Sequence, residues 1–250
     1  MSRNAKDYFF LVGCPRSGTR LLGELLDRHS RLAVPPETAF FEEVAPQLAT
    51  ADDARLLKVL RGWRRLPELE IDAKDVVRKR PSTAAGVLAV LLDLYAQSRG
   101  KSRCGEKTPE HLRHASTILR RFPKAKVICM LRDGRDSVLS LRSMPTWRGS
   151  LAAGAEIWKD SVIAAEQLAL REPDRFMLLR YEDLVLHTED VLRHVMRYLG
   201  EPFEQTQLHA PGVVSLEAHR VDHRRRAATP RELICLEVLL RDQLRRHGYA

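Results

Sequence analysis

No Cys-x-x-Cys pair occurs in this chain of 250 residues, and its four cysteines, Cys14, Cys104, Cys129 and Cys235, lie far apart. That spacing excludes a zinc-ribbon layout and speaks against a disulfide framework, so reduced and mostly buried thiols are expected. Aromatic residues make up 6% of the chain, and they are not interleaved with basic residues as stacking platforms for nucleic-acid bases would be. No apolar run approaches the length of a membrane span or a signal-peptide core, and residues 1–7 are polar and of mixed charge. A soluble, intracellular (cytoplasmic) protein is the expectation, with neither nucleic acid nor membrane as partner. Internal repeats and low-complexity tracts are also missing. Positive charge is not: the net charge is +9, but 33 of the 42 basic residues are Arg scattered along the whole chain, which reads as a compositional habit and not as a dedicated patch. With 44% hydrophobic residues, the chain suits a single domain over residues 1–250.

Four runs read as strands: Tyr8–Val12, a short one near Arg103–Glu106, Val127–Leu131 and Phe176–Leu179. Helical patterns fall at Thr19–His29, Glu37–Leu48, Asp53–Trp63, Thr83–Ser98, Glu110–Arg121, Asp136–Ser143, Leu151–Leu170, Glu189–Leu199 and Pro230–Arg246. Strands alternating with helices imply βα crossovers. The expected class is therefore α/β, a P-loop-like three-layer fold with a central parallel sheet and helices on both faces. Ligands in such sheets bind at the carboxyl ends of the strands, and Arg16 to Thr19, Lys107, Arg132, Tyr181 and Glu182 all fall there. The helical stretch at about 52–99 is expected to cap the sheet edge and shape an acceptor pocket. His209–Thr229, with Arg220, Arg224, Arg225 and Arg226, reads as a basic loop that is either solvated or closes over a ligand.

The first strand runs into Gly13-Cys14-Pro15-Arg16-Ser17-Gly18-Thr19-Arg20-Leu21-Leu22. The two glycines are spaced as in the ATPase loop GxxxxGK[ST], but Thr19 stands where the phosphate-gripping Lys belongs and Arg20 where a Ser or Thr would hold magnesium. Backbone N–H groups at a helix start can still cradle an anion. A phosphate-like ligand bound without metal is the reading.

Pro15-Arg16-Ser17-Gly18-Thr19 followed by an apolar pair resembles the 5′-phosphosulfate loop of sulfotransferases that use 3′-phosphoadenosine 5′-phosphosulfate (PAPS). The apolar strand ending in Leu131-Arg132-Asp133, with Ser140 eight residues after Arg132, resembles their 3′-phosphate element. A fixed guanidinium and a hydroxyl can share one phosphate through charge-assisted bonds. Glu37-Thr38, 21 residues after Arg16 and preceded by Pro35 and Pro36, is similar to the Glu-Thr of tyrosylprotein sulfotransferases, whose Glu is the general base. Lys107 in Gly105-Glu106-Lys107-Thr108-Pro109 resembles the lysine that steadies the leaving phosphate, and Tyr181-Glu182 the segment whose Tyr lies near the phosphosulfate. The likeness spans about Phe9 to Phe203, with its motifs in order.

The resemblance implies a bacterial-type soluble PAPS-dependent sulfotransferase with Glu37, Arg16 and Lys107 catalytic. Arg16, Ser17, Gly18, Thr19, Arg20, Leu21, Arg132, Ser140 and Tyr181 would bind the cofactor, no metal would take part, and the partner would be an acceptor hydroxyl or amine. Trp158 reads as core, Glu106 as a possible surface partner of Lys107, and His111 and His114 as satisfied histidines. Three departures count against protein-tyrosine specificity: Arg20 replaces a second Thr, Ala39 replaces an Arg, and no membrane anchor is expected ahead of the domain. A magnesium-dependent nucleotide kinase, with Asp133 on the metal, and a non-enzymatic phosphonucleotide- or RNA-binding module remain as alternatives.

Overall fold

The first apolar run forms β1 (Phe9–Gly13), buried on both faces, which is why its residues do not alternate with polar ones. The structure is a computed structural model that describes residues 7–48, 52–209, 221–226 and 228–249. After β1 come α1 (Thr19–Asp27), the two-residue β2 (Leu32–Ala33) and α2 (Phe40–Glu43). The helices α3 (Asp53–Gly62), α4 (Ala73–Arg78) and α5 (Ala84–Ser98) lead to β3 (Arg103–Lys107). Next are α6 (Ala115–Arg121), β4 (Lys126–Leu131), α7 (Gly134–Arg142), α8 (Leu151–Arg171) and β5 (Phe176–Arg180). The chain continues through α9 (Tyr181–Leu186), α10 (Thr188–Leu199), α11 (His223–Arg226) and α12 (Pro230–Arg246).

The five strands are all parallel, in the order β2-β3-β1-β4-β5. β1 pairs Phe10 with Glu106 on one side and Val127 on the other, so the residues that follow β3 and β4 flank the β1–α1 loop. The strand order reverses about β1, the place where open α/β sheets bind ligands. Alternation along β1 sends Phe10 and Val12 into a core with α5, α6 and the 53–98 helices, and Phe9 and Leu11 into a second core with α1, α9 and α10. A third cluster, around Trp158, joins α7, α8 and α12. The three-layer expectation holds. No helix among the described residues is long and apolar enough to cross a membrane.

Several boundaries differ from the sequence expectation. Glu37 is not in a helix: Thr38 turns its hydroxyl to Glu106, Ala39 takes a left-handed φ of 45°, and α2 begins only at Phe40. Pro46 then opens a short 3-10 turn, Ala45–Gln47. Pro109 likewise makes Pro109–His114 a 3-10 turn ahead of α6. The basic segment is not wholly loop, since α11 packs against α7; Arg220 lies outside the described residues.

Candidate active site

At the carboxyl ends of β1, β3 and β4 lies a cavity of about 540 Å³ lined by Pro15, Arg16, Gly18, Thr19, Arg20, Leu21, Glu24, Glu37, Pro109, Glu110, Arg132, Met144 and Tyr181. Its floor is the β1–α1 turn. Two glycines permit that turn: a Cβ on Gly13 would lie 2.5 Å from the Met130 carbonyl oxygen, and one on Gly18 would lie 2.3 Å from the Tyr181 ring. Gly18, at φ 98°, is also the N-cap of α1 and makes no side-chain cap bond, and α1 has no acidic residue in its first turn. The N–H groups at the start of α1 are therefore left to an anion. Arg16, at φ 73°, pays local strain to put its side chain over the loop.

Arg16 Nε donates to Ser140 Oγ at 3.1 Å, and Arg132 Nη1 donates to the Arg16 carbonyl at 3.2 Å. The sequence pairs Ser140 with Arg132; here the hydroxyl takes Arg16 instead, and the three residues form one chain of contacts. Arg132 lies 4.5 Å from the Tyr181 ring centroid, and its carbonyl accepts from Trp158 Nε1 at 3.0 Å. Trp158 is fully buried, as its core reading requires. Arg132 Nε is buried with no partner among the described residues. An unpartnered guanidinium N–H beside an uncapped helix start fits a phosphate-bearing cofactor.

Asp133 is not available to a metal. Its Oδ1 accepts from the Arg135 backbone and Nε, and its Oδ2 from Arg135 Nη2 at 2.7 Å, with Arg225 Nη1 at 3.2 Å. Arg225 also meets Asp136 at 3.0 Å, whose carboxyl burial raises against the pull of Arg132 and Arg225. Arg225, with its side chain 28% exposed, is thus ion-paired to the start of α7 and only partly solvated. Glu182 ties the same strand end together, accepting from the Asp133 N–H and the Tyr249 hydroxyl, each at 2.9 Å.

Across the β1–α1 loop, Lys107 Nζ donates to Glu37 Oε1 at 2.8 Å. Glu106 does not pair with Lys107 at the surface. It is fully buried on the opposite face and accepts from Thr38 Oγ1, Thr108 Oγ1 and His111 Nδ1, all at 2.7 Å. His111 Nε2 lies 3.0 Å from Glu42. Burial alone would lower the His111 pKa, but Glu106 and Glu42 on its two sides bring it up to about 9. His111 is thus a satisfied core histidine, as expected, and with Glu106 it fixes where Thr38, and so Glu37, stands.

Of the predicted site residues, Arg16, Gly18, Thr19, Arg20, Leu21, Glu37, Arg132 and Tyr181 line the cavity, while Ser17, Lys107 and Ser140 stand one layer behind it. Arg20 is exposed and paired to Glu24 at 2.8 Å. No residue of the 52–99 stretch lines the cavity; it reaches a lining residue from the link after α3, where Arg65 Nη1 donates to the Glu37 carbonyl at 2.9 Å. Sequence reasoning missed Glu110 and Arg65. Glu110 follows Lys107 by three residues across Pro109 and could have been flagged from that position, whereas nothing local links Arg65 to a residue 28 positions earlier. Burial raises the thiol of Cys14, within the loop itself, to about 12, so it is no nucleophile; Cys104 and Cys129 are also buried, Cys235 is exposed, and all four are free.

The sulfotransferase family model matches residues 8–205. The protein-tyrosine sulfotransferase of Drosophila melanogaster is 28% identical over 207 residues, a match covering 80% of this chain and 39% of that protein. The chain therefore spans about two fifths of that relative's length. Among solved structures, the sulfotransferase domain of the Synechococcus PCC 7002 olefin synthase superposes with a TM-score of 0.68 at 22% identity, covering 94% of each chain. Mouse sulfotransferase SULT7A1, crystallised with PAP, superposes at 0.54 with 15% identity, covering 96% of this chain and 84% of that one. On the family match, which takes in the strand-end loops and every residue that lines the cavity, the chain belongs to the sulfotransferase family.

Proposed function

We propose that this sulfotransferase moves a sulfuryl group from PAPS to a hydroxyl or amine of its acceptor. One observation carries the reading: a single cavity joins an uncapped helix start and two guanidiniums, Arg16 and Arg132, to a carboxylate, Glu37, that is held by Lys107. The PAP held by SULT7A1, of the same fold, supports the choice of nucleotide. PAPS supplies the sulfuryl group as an activated phosphosulfate. The backbone of Ser17 to Leu21 and the Arg16 guanidinium bind its 5′ end, and Arg132 with Ser140 its 3′-phosphate, beside the Tyr181 ring. Ser140 also steers Arg16, because its oxygen accepts from Arg16 Nε while its own O–H has no acceptor among the described residues.

Glu37 removes the proton of the attacking group, which a neutral hydroxyl must lose as it reacts. Lys107 and Arg16 are cations already fixed at the site, so they stabilise negative charge that grows on the departing phosphate without reorganising. The 1–250 domain, with its helical 52–99 stretch, acts in the cytoplasm in this reading, a location that suits four free thiols. The departures at Arg20 and Ala39 favour an acceptor other than protein tyrosine.

The deciding experiment incubates the enzyme with PAPS and a library of acceptors in excess EDTA and reads products by mass spectrometry. PAP and a sulfated product are expected without added metal. Strict dependence on magnesium, or ATP turnover at a comparable rate, would replace this reading with the kinase one.

A further inference from the structure

The cavity is divided in charge. Because β1 lies between β3 and β4, the residues after β4 face those after β2 and β3 across the β1–α1 loop. The first side carries Arg132, and the second carries Glu37 and Glu110. Not all of the carboxylates in the lining are neutralised. Glu24 has Arg20 at 2.8 Å and Glu37 has Lys107 at 2.8 Å, but Glu110 has no ion pair among the described residues. Burial, then repulsion from Glu37 and Glu42, raises the Glu110 carboxyl above the usual range. A half-buried carboxylate facing other carboxylates is stabilised most by a cation, and the cations beside it, Arg20 and Lys107, are paired to Glu24 and Glu37.

Resting on the sulfotransferase reading, we infer that Glu110 is a specificity residue that engages a positively charged group of the acceptor, so that the enzyme prefers amine-bearing alcohols or phenols to neutral ones and disfavours anionic ones. The cation of the acceptor sits on Glu110 while its nucleophilic group reaches Glu37 in the same cavity. Hydrogen bonding to a charged group sets the size of the preference, about ten- to a hundredfold in affinity.

Three phenols of similar shape test this: tyramine, p-cresol and 4-hydroxyphenylacetate. Each is titrated calorimetrically into enzyme saturated with PAP, and each is assayed with PAPS. Tyramine should bind about ten- to a hundredfold more tightly than p-cresol, and 4-hydroxyphenylacetate most weakly. Glu110→Gln should bring tyramine to the level of p-cresol, mainly through KM, and Glu110→Lys should reverse the order of tyramine and 4-hydroxyphenylacetate. Equal affinity for the three, or no measurable binding of any, overturns the inference. So does a uniform fall in kcat across the acceptors in Glu110→Gln, which would move Glu110 into proton transfer. Failure of the underlying reading is distinct, because it appears as an absence of PAP binding when PAP alone is first titrated into the enzyme.

Discussion

Two contacts join the dipeptides Glu37-Thr38 and Glu106-Lys107, the ion pair of Glu37 with Lys107 and the hydrogen bond of Thr38 to Glu106, and they serve opposite ends. Successive side chains of β3 point to opposite faces, so Lys107 meets Glu37 at the edge of the cavity while Glu106 meets Thr38 and His111 in the interior. The Glu37 side chain is 39% exposed; those of Glu106 and His111 are 0% exposed. A pair with its carboxylate partly open to solvent adds less to stability than a fully buried one, and that carboxylate can be redirected. A buried one holds its shape only if every lone pair is met, as the hydroxyls of Thr38 and Thr108 and the His111 ring do for Glu106. Chemistry and placement are thus separated by one step along the chain.

The sharpest way to break this contrast is Glu37→Gln, which should lower turnover by about 10²–10⁴ while PAP affinity and melting temperature stay near wild type. Glu37 lies in coil ahead of α2, so no helix-dipole contribution is lost with its charge. Near-normal turnover with an un-ionised acceptor would remove Glu37 from the mechanism. The opposite pattern is expected of Glu106→Ala. Removing the buried carboxylate between His111, Thr38 and Thr108, with Glu42 left as the one carboxylate partner of the His111 ring, should cost about 3–5 kcal/mol, read as a lower urea midpoint at unchanged slope. A loss below about 1 kcal/mol would mean that the buried pair behaves like a surface one, and the contrast would be void.

A third test uses pH. The folded-state pKa of His111, about 9, lies above its ordinary 6.5, so the ion pair stabilises the fold fully below pH 6.5 and loses that contribution as pH rises towards 9. Melting temperature should fall across that window, and His111→Gln should flatten the decline; parallel curves would count against it. The smallest effect sharpens the comparison at the phosphate side. Arg132→Ala should weaken PAP binding by about ten- to a hundredfold and hardly change that of adenosine 5′-phosphate. Equal losses for the two nucleotides would make Arg132 a structural residue.

Much of this was legible in the sequence because it is local. The β1–α1 loop, the strand ends at Arg132 and Tyr181, and helix α12 from Pro230 to Arg246 follow from short-range patterns. The two-residue β2 and the six-residue α4 are too short to carry a period. Prolines at 46 and 109 cut two expected helices into shorter turns. Glu106 looked like a surface partner of Lys107 because adjacency in sequence suggests contact, when strand alternation forbids it. The bond from Arg65 to Glu37 and that from Arg16 to Ser140 join residues 28 and 124 positions apart, and only the folded chain brings them together.

The alternation in β3 also bears on how such an enzyme can evolve. With Glu106 opposite Phe10 and Lys107 opposite Leu11, the register decides which of two adjacent charges sees the cavity. A deletion or insertion inside β3 would not merely loosen a strand; it would exchange the two charges between core and cavity, burying the ammonium and exposing the carboxylate. Lineages descended from this chain can therefore drift in the identity of cavity-lining residues such as Glu110 far more freely than in the phase of β3.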